Sequence, residues 1–340
     1  MKHTRLIISG TDLSDFQVDE FDDLDSSQER AAYELREVSV PSSSHGDRLD
    51  RTLALVVPEF SRSYLQQLIA GTAVSQNAAV QTKPSTKVKA GDKLVIELRP
   101  TPQSQAFRPE DMPIDVVFED EFLRVINKPA GLVVHPAPGN WSGTLLNGLL
   151  ANDRLAALLP RAGIVHRLDK DTSGLMVVAR TRRTMDLLVN MIAERSVNRQ
   201  YLAIAHNSWV GPKKRHVDLP VGRDVKNRLR MAVVDLGKNP GKSAATDITM
   251  ADSQGAFSLV RCKLHTGRTH QIRVHMAAIG HPLLADPVYG GASDGFLHRQ
   301  ALHACQLSFQ HPNTGAQLSF DCAPPVDMQL ALARHRLECS

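Results

Sequence analysis

Apolar positions recur at helical spacing in two short stretches near the start of the chain. Leu49 and Leu53 mark one helix, and Leu65, Leu68 and Ile69, behind Ser61 as N-cap, mark a second that stops at Gly71. Short alternating stretches follow at Val74 to Val80 and Lys93 to Leu98, each predicting a strand. RPTPQSQAFRP, 99 to 109, has prolines and no hydrophobic period, so it reads as a linker. Beyond it, IDVVFED and FLRVINKP predict paired strands, and GLMVVA and YLAIAH predict further ones. Thr181 caps a predicted helix through Ala193 with Met185, Leu188 and Ile192 on its inner face, and Gly280 ends another that contains Arg273, Met276 and Ile279. Strands that neighbour one another without regular alternation with helices predict an α+β protein built on a mixed, largely antiparallel sheet.

Charge divides the chain more sharply than pattern does. Residues 1 to 40 hold ten acids and four bases, whereas the other 300 residues hold 36 bases and 26 acids. The first 44 residues therefore read as an acidic, disordered tail, with SSS at 42 to 44 as a hinge. The expected organisation is this tail, a small domain at 45 to 98, a linker at 99 to 107, a main domain at 108 to 330 and a C-terminal tail at 331 to 340. A basic body suits a polyanionic partner, because Lys and Arg that neutralise phosphates release counterions. The hydrophobic fraction of 42% is ordinary for a soluble protein. No apolar run approaches the roughly 20 residues needed to cross a bilayer, and MKHTRLIISGTDLSDF is too polar for a signal peptide. A cytoplasmic protein without a membrane partner is expected. Cys262, Cys305, Cys322 and Cys339 are widely spaced, which indicates neither a zinc knuckle nor a disulfide scaffold.

Candidate chemistry concentrates in RAGIVHRLDKDTSGLMVVAR, 161 to 180. Asp169 and Asp171 fall on a connection between two predicted strands, with His166, Arg167, Lys170 and Arg180 close in sequence. Neighbouring cations favour the ionised, nucleophilic form of a carboxylate. A solvated turn is the plain alternative. A calcium loop is excluded, since the twelfth position after D-x-D-x-S-G is Arg180 and not a bidentate Glu. The D-x-D-x-T string also matches magnesium-dependent phosphatases, in which Asp169 would be phosphorylated and Asp171 would be acid and base, although His166 and Arg167 interrupt the apolar strand such enzymes want. His265, His270 and His275 recur every five residues, a step that converges on one ion in neither helix nor strand, so no metal site is expected.

HRLDKDTSG at 166 to 174 resembles the H-R-L-D-x-x-T-S/T-G signature of the RluA-family pseudouridine synthases. INKPAGLVVHP (126 to 136), NRQYLAI (198 to 204), HTGRTHQIRVH (265 to 275), GHPLLADPVYGG (280 to 291) and RQALHA (299 to 304) resemble the same family in the same order. DRLDRTLA and SRSYLQQLI resemble an S4 RNA-binding module, departing from it at Tyr64, Gln66, Gln67 and Asn77-Ala78. The resemblance implies a pseudouridine synthase fold behind an S4-like domain, and isomerisation of uridines in RNA after base flipping. Large-subunit ribosomal RNA is the implied partner. By motif position Asp169 is the nucleophile, Arg273 pairs with it and Tyr201 stacks on the base. His166, Arg167, Lys128, Arg268, His270 and Arg62 are the implied RNA contacts. No cofactor is implied, because the reaction transfers no electrons or groups between molecules. A non-catalytic RNA-binding protein that assists ribosome assembly is the third alternative.

Overall fold

The computed structural model describes residues 34–99, 106–137 and 139–338, which form two compact units divided near residue 100. The first unit runs β1 (Glu34–Ser39), α1 (Leu49–Val56), α2 (Arg62–Ala70), β2 (Val74–Gln76), β3 (Ala79–Val80) and β4 (Lys93–Leu98). Its antiparallel sheet has the order β1-β4-β2-β3. Ser61 caps α2 by accepting from the Tyr64 amide, and Leu49, Leu53, Leu65 and Ile69 of the two helices close over Leu94 and Ile96 of β4. Two helices ahead of small strands is the expected layout.

The expected tail through residue 44 is corrected. Glu34–Ser39 pair along the whole of β4, Val40 is buried, and Ser42–Ser44 form a 3₁₀ turn that buries Ser44, so the three serines are no hinge. The acids of ELREVS point to solvent while the ladder satisfies the backbone, a combination that net charge hides. The dense acids Asp19 to Asp25 and most of the linker lie outside the described residues.

The second unit carries β5 (Val116–Glu119), β6 (Leu123–Lys128), α3 (Leu145–Asn152), β7 (Ser173–Ala179), α4 (Arg182–Ala193) and β8 (Asn198–His206). It continues through β9 (Lys214–Asp218), β10 (Val221–Arg223), β11 (Met231–Val233), β12 (Gly241–Lys242), β13 (Ala245–Gln254) and β14 (Phe257–Leu264). It ends with α5 (Gln271–Ala278), β15 (Leu302–Gln310), β16 (Gln317–Asp321) and α6 (Val326–Arg334). The main sheet has the order β5-β6-β7-β15-β8-β14-β13-β9, with β16 added to β15, and only β7 and β15 run parallel. The expected mixed, largely antiparallel sheet is present.

Both faces of the sheet are covered. Met176 and Val178 of β7 pack with Tyr201 and Ala203 of β8 and with Ile272 and Met276 of α5 on one face. Leu175 and Val177 pack with Leu188 of α4 on the other. Strand β7 is buried throughout, which explains why it reads as an unbroken apolar run. The expected tail from 331 is also corrected, since α6 reaches Arg334 and buries Ala331 and Leu332, and Leu337 beyond it is buried too. None of the helices among the described residues is long and apolar enough to cross a membrane.

Candidate active site

Asp169 opens a tight turn that leads into β7, closed by the Thr172 amide donating to the Asp169 carbonyl at 3.1 Å. The turn is anchored from both sides. Lys128, at the end of β6, donates from Nζ to the carbonyls of Pro129, Leu132 and Lys170 at 2.7, 2.9 and 2.9 Å. On the other side β15 approaches β7 so closely that a Cβ on Gly174 would lie 2.3 Å from the Ala304 carbonyl oxygen, and Gly174 has φ +114°. Only glycine fits that junction. Ser173 Oγ and His303 Nδ1, 2.9 Å apart, close the seam between the two strands.

Opposite the turn, α5 presents Arg273, which is 5% exposed. Its Nε and Nη2 donate to the two oxygens of fully buried Asp286 at 2.7 and 2.8 Å, and its Nη1 donates to Asp169 Oδ2 at 3.3 Å. The bidentate pair fixes the guanidinium plane, and a single longer contact reaches Asp169. His270 Nε2 also approaches Oδ2, at 3.9 Å, while its Nδ1 meets the Tyr289 hydroxyl at 2.8 Å. Burial holds His270 below the ordinary imidazole pKa. Both close polar contacts of Asp169 therefore fall on Oδ2, and Oδ1 has no hydrogen bond among the described residues.

A cleft of about 680 Å³ opens at Asp169. Its lining contains Tyr201, His166, Arg167, Arg268, His270 and Arg273, so seven of the nine expected site residues meet in one place. Six arginines and one carboxylate line it, which makes it strongly cationic. Burial pushes the Tyr201 pKa up to about 12, so the ring enters the cleft as a neutral phenol. His166 accepts at Nε2 from the Val177 amide at 3.1 Å, and burial, aided by the nearby Arg199 charge, lowers its pKa to about 3. That imidazole is neutral, and its Nδ1 is buried without a partner.

One expected RNA contact is corrected. Lys128 is 1% exposed, and its ammonium is used up by three carbonyls, so it braces the turn and does not line the cleft. Arg62 belongs to the first unit, where it and Arg48 pair with fully buried Asp50. Arg180, close to Asp169 in sequence, is carried to the far end of β7 and pairs there with Asp153 and Glu119. Asp171 sits at the tip of the turn outside the cleft lining, and its carbonyl accepts from Arg299.

The five-residue histidine series separates as the spacing requires. His275 meets Thr246 and the Leu219 carbonyl, whereas His265 shares the carboxylate of Asp247 with His216, both at 2.6 Å. Sequence reasoning missed this trio because its members come from three separate segments. It also passed over Asp286 and Arg199. Asp286 stands inside GHPLLADPVYGG, but nothing in the pattern says that it is buried. Arg199 stands two positions before Tyr201, and the two-residue period of a strand puts both on one face.

A single carboxylate among six arginines in a cleft on a mixed sheet suits an enzyme that acts on an anionic substrate. Residues 123–278 match the family of RNA pseudouridylate synthases. The chain is 46% identical over 312 residues to ribosomal large subunit pseudouridine synthase D of Neisseria meningitidis serogroup B, covering 88% of this chain and 82% of that protein. It is 43% identical over 305 residues to the protein of the same name from Escherichia coli O6:H1, covering 85% and 91%. Among solved structures, human RNA pseudouridylate synthase domain containing 4 superposes with a TM-score of 0.53 at 26% identity, over 66% of this chain and 94% of that one. The chain belongs to the RNA pseudouridylate synthase family, and the second unit has the pseudouridine synthase fold.

Proposed function

We propose that this protein converts specific uridines of large-subunit ribosomal RNA to pseudouridine, with Asp169 as the nucleophile. The observation that carries the proposal is the Asp169–Arg273–Asp286 chain of contacts at the floor of a cationic cleft. The relatives named above as large-subunit enzymes supply the substrate class.

The geometry suits the chemistry. Arg273 is already neutralised by Asp286, so its one long contact to Oδ2 supports the charge of Asp169 without engaging Oδ1, which stays available to attack. The uridine must leave its stack to reach this oxygen, at a cost of a few kcal/mol that phosphate contacts offset. Exposed Arg167, beside the nucleophile, is placed to hold the distorted backbone. Tyr201 offers a ring face for the flipped base, and its raised pKa supports stacking rather than phenolate base chemistry. The glycosidic bond then breaks, the base turns, and C5 bonds to C1′ as the C5 proton leaves. The first unit, by its two helices and small strands, is read as an S4-like module that adds RNA affinity. We place the activity in the cytoplasm with that substrate.

A phosphatase needs a second carboxylate in the cleft. Asp171 lies outside the lining, so that reading is not favoured. The test is tritium release from large-subunit rRNA transcripts labelled at uridine C5, run in EDTA. Metal-independent release is expected, and release only with added magnesium, or none, would overturn the proposal.

A further inference from the structure

Arg199 is the unexplained charge of the cleft. It lies on β8, is 6% exposed, and its guanidinium has no carboxylate or hydrogen-bond partner among the described residues; its Nε is buried with no acceptor. A buried, unpaired charge is expensive, and such groups are retained where a ligand completes them. It shares the inner face of the strand with Tyr201, two positions away, and lines the same cleft. Gly267, across the cleft, leaves room for it, since a Cβ there would come within 3.1 Å of Arg199 Nη1.

Burial without a carboxylate partner separates Arg199 from the other arginines, since equally buried Arg273 is paired with Asp286. Arg161, Arg167 and Arg195 are exposed, where a phosphodiester backbone passes, whereas a guanidinium on the floor meets what enters the floor. Under the function proposed above, that is the uracil ring.

Resting on that function, we infer that Arg199 contacts the flipped uracil and donates hydrogen bonds to its carbonyl oxygens, stabilising the charge that gathers there during reaction. Negative charge reaches O4 by either route. If Asp169 attacks C1′, the C1′–N1 bond breaks and its electron pair spreads from N1 onto O2 and O4. If Asp169 adds to C6, the C5–C6 π pair moves onto the C4 carbonyl as an enolate. A donor fixed beside those oxygens acts on the transition state more than on bound substrate.

The experiment compares wild type, Arg199→Met and Arg199→Lys in single-turnover tritium release and in filter binding of the same rRNA transcript. Arg199→Met keeps the aliphatic stem and its packing, and Arg199→Lys keeps the charge if the methionine variant fails to fold. The expected result is a rate loss on the order of 10²-fold, the size seen when one such donor is removed, with RNA affinity changed less than about threefold. Transcripts carrying 4-thiouridine or 2-thiouridine, whose sulfur accepts hydrogen bonds poorly, should slow the wild type and leave the rate of the variant unchanged. A rate loss matched by lost affinity would make Arg199 a phosphate contact and overturn the inference. Wild-type rates in both variants, or equal thio effects in wild type and variant, would also overturn it. No release by the wild type would fail the proposed function itself, a separate result.

Discussion

The central question at the residue scale is why one of two nearby aspartates, and not the other, is proposed as the nucleophile. Asp169 and Asp171 look alike in sequence, and the difference appears only when α5 brings Arg273 to one of them. Arg273 is held in turn by Asp286, so the residue with the least obvious role carries much of the arrangement. Asp286→Ala would leave a buried guanidinium with only its long contact to Asp169, and breaking such a pair costs about 3–5 kcal/mol. Urea denaturation should show a loss of that order together with a fall in turnover, whereas an unchanged midpoint would remove Asp286 from the site. Lys128 teaches the converse lesson. A lysine inside a motif suggests phosphate, yet three carbonyl acceptors make it a brace for the turn.

Among the elements, much was legible. The caps at Ser61 and Thr181, the stop at Gly280 and the apolar runs of β6, β7 and β8 all announce themselves. The acidic strand β1 and the stretch from β9 to β13 do not. Short segments such as VGR and GK carry too few apolar positions to show a period, and they become strands only through pairing with distant partners. The site itself was legible through its motifs, but its closure was not, because burial of Asp286 and Arg199 depends on which strands meet. The parallel pairing of β7 with β15 is the critical junction, since it fixes the turn that carries Asp169. Gly174→Ala would set a methyl against the Ala304 carbonyl at a φ that suits glycine, so stability should fall by at least about 2 kcal/mol. Thermal melting of the variant tests this, and a melting temperature equal to that of the wild type would contradict the tight seam.

For the whole molecule, charge distribution decides how a substrate is gathered. The first 40 residues are net acidic and the remainder net basic, and six arginines face one carboxylate in the cleft. RNA binding should weaken steeply with salt, the logarithm of affinity falling by about 0.7 to 0.9 per phosphate neutralised for each tenfold rise in salt. Arg167→Ala should reduce that slope by about one without changing which uridine is modified, as a phosphate contact does. Filter binding from low to physiological salt checks it, and an unchanged slope would take Arg167 off the backbone.

Asp169, and not its neighbour, is proposed to perform the reaction. The measurement is tritium release from C5-labelled large-subunit rRNA by wild type, Asp169→Asn and Asp171→Asn, with RNA binding and melting temperature recorded for each. Asp169→Asn should bind RNA, stay folded and release no tritium, while Asp171→Asn should keep most of the wild-type rate. Release by Asp169→Asn, or equal loss in both folded variants, would contradict the assignment.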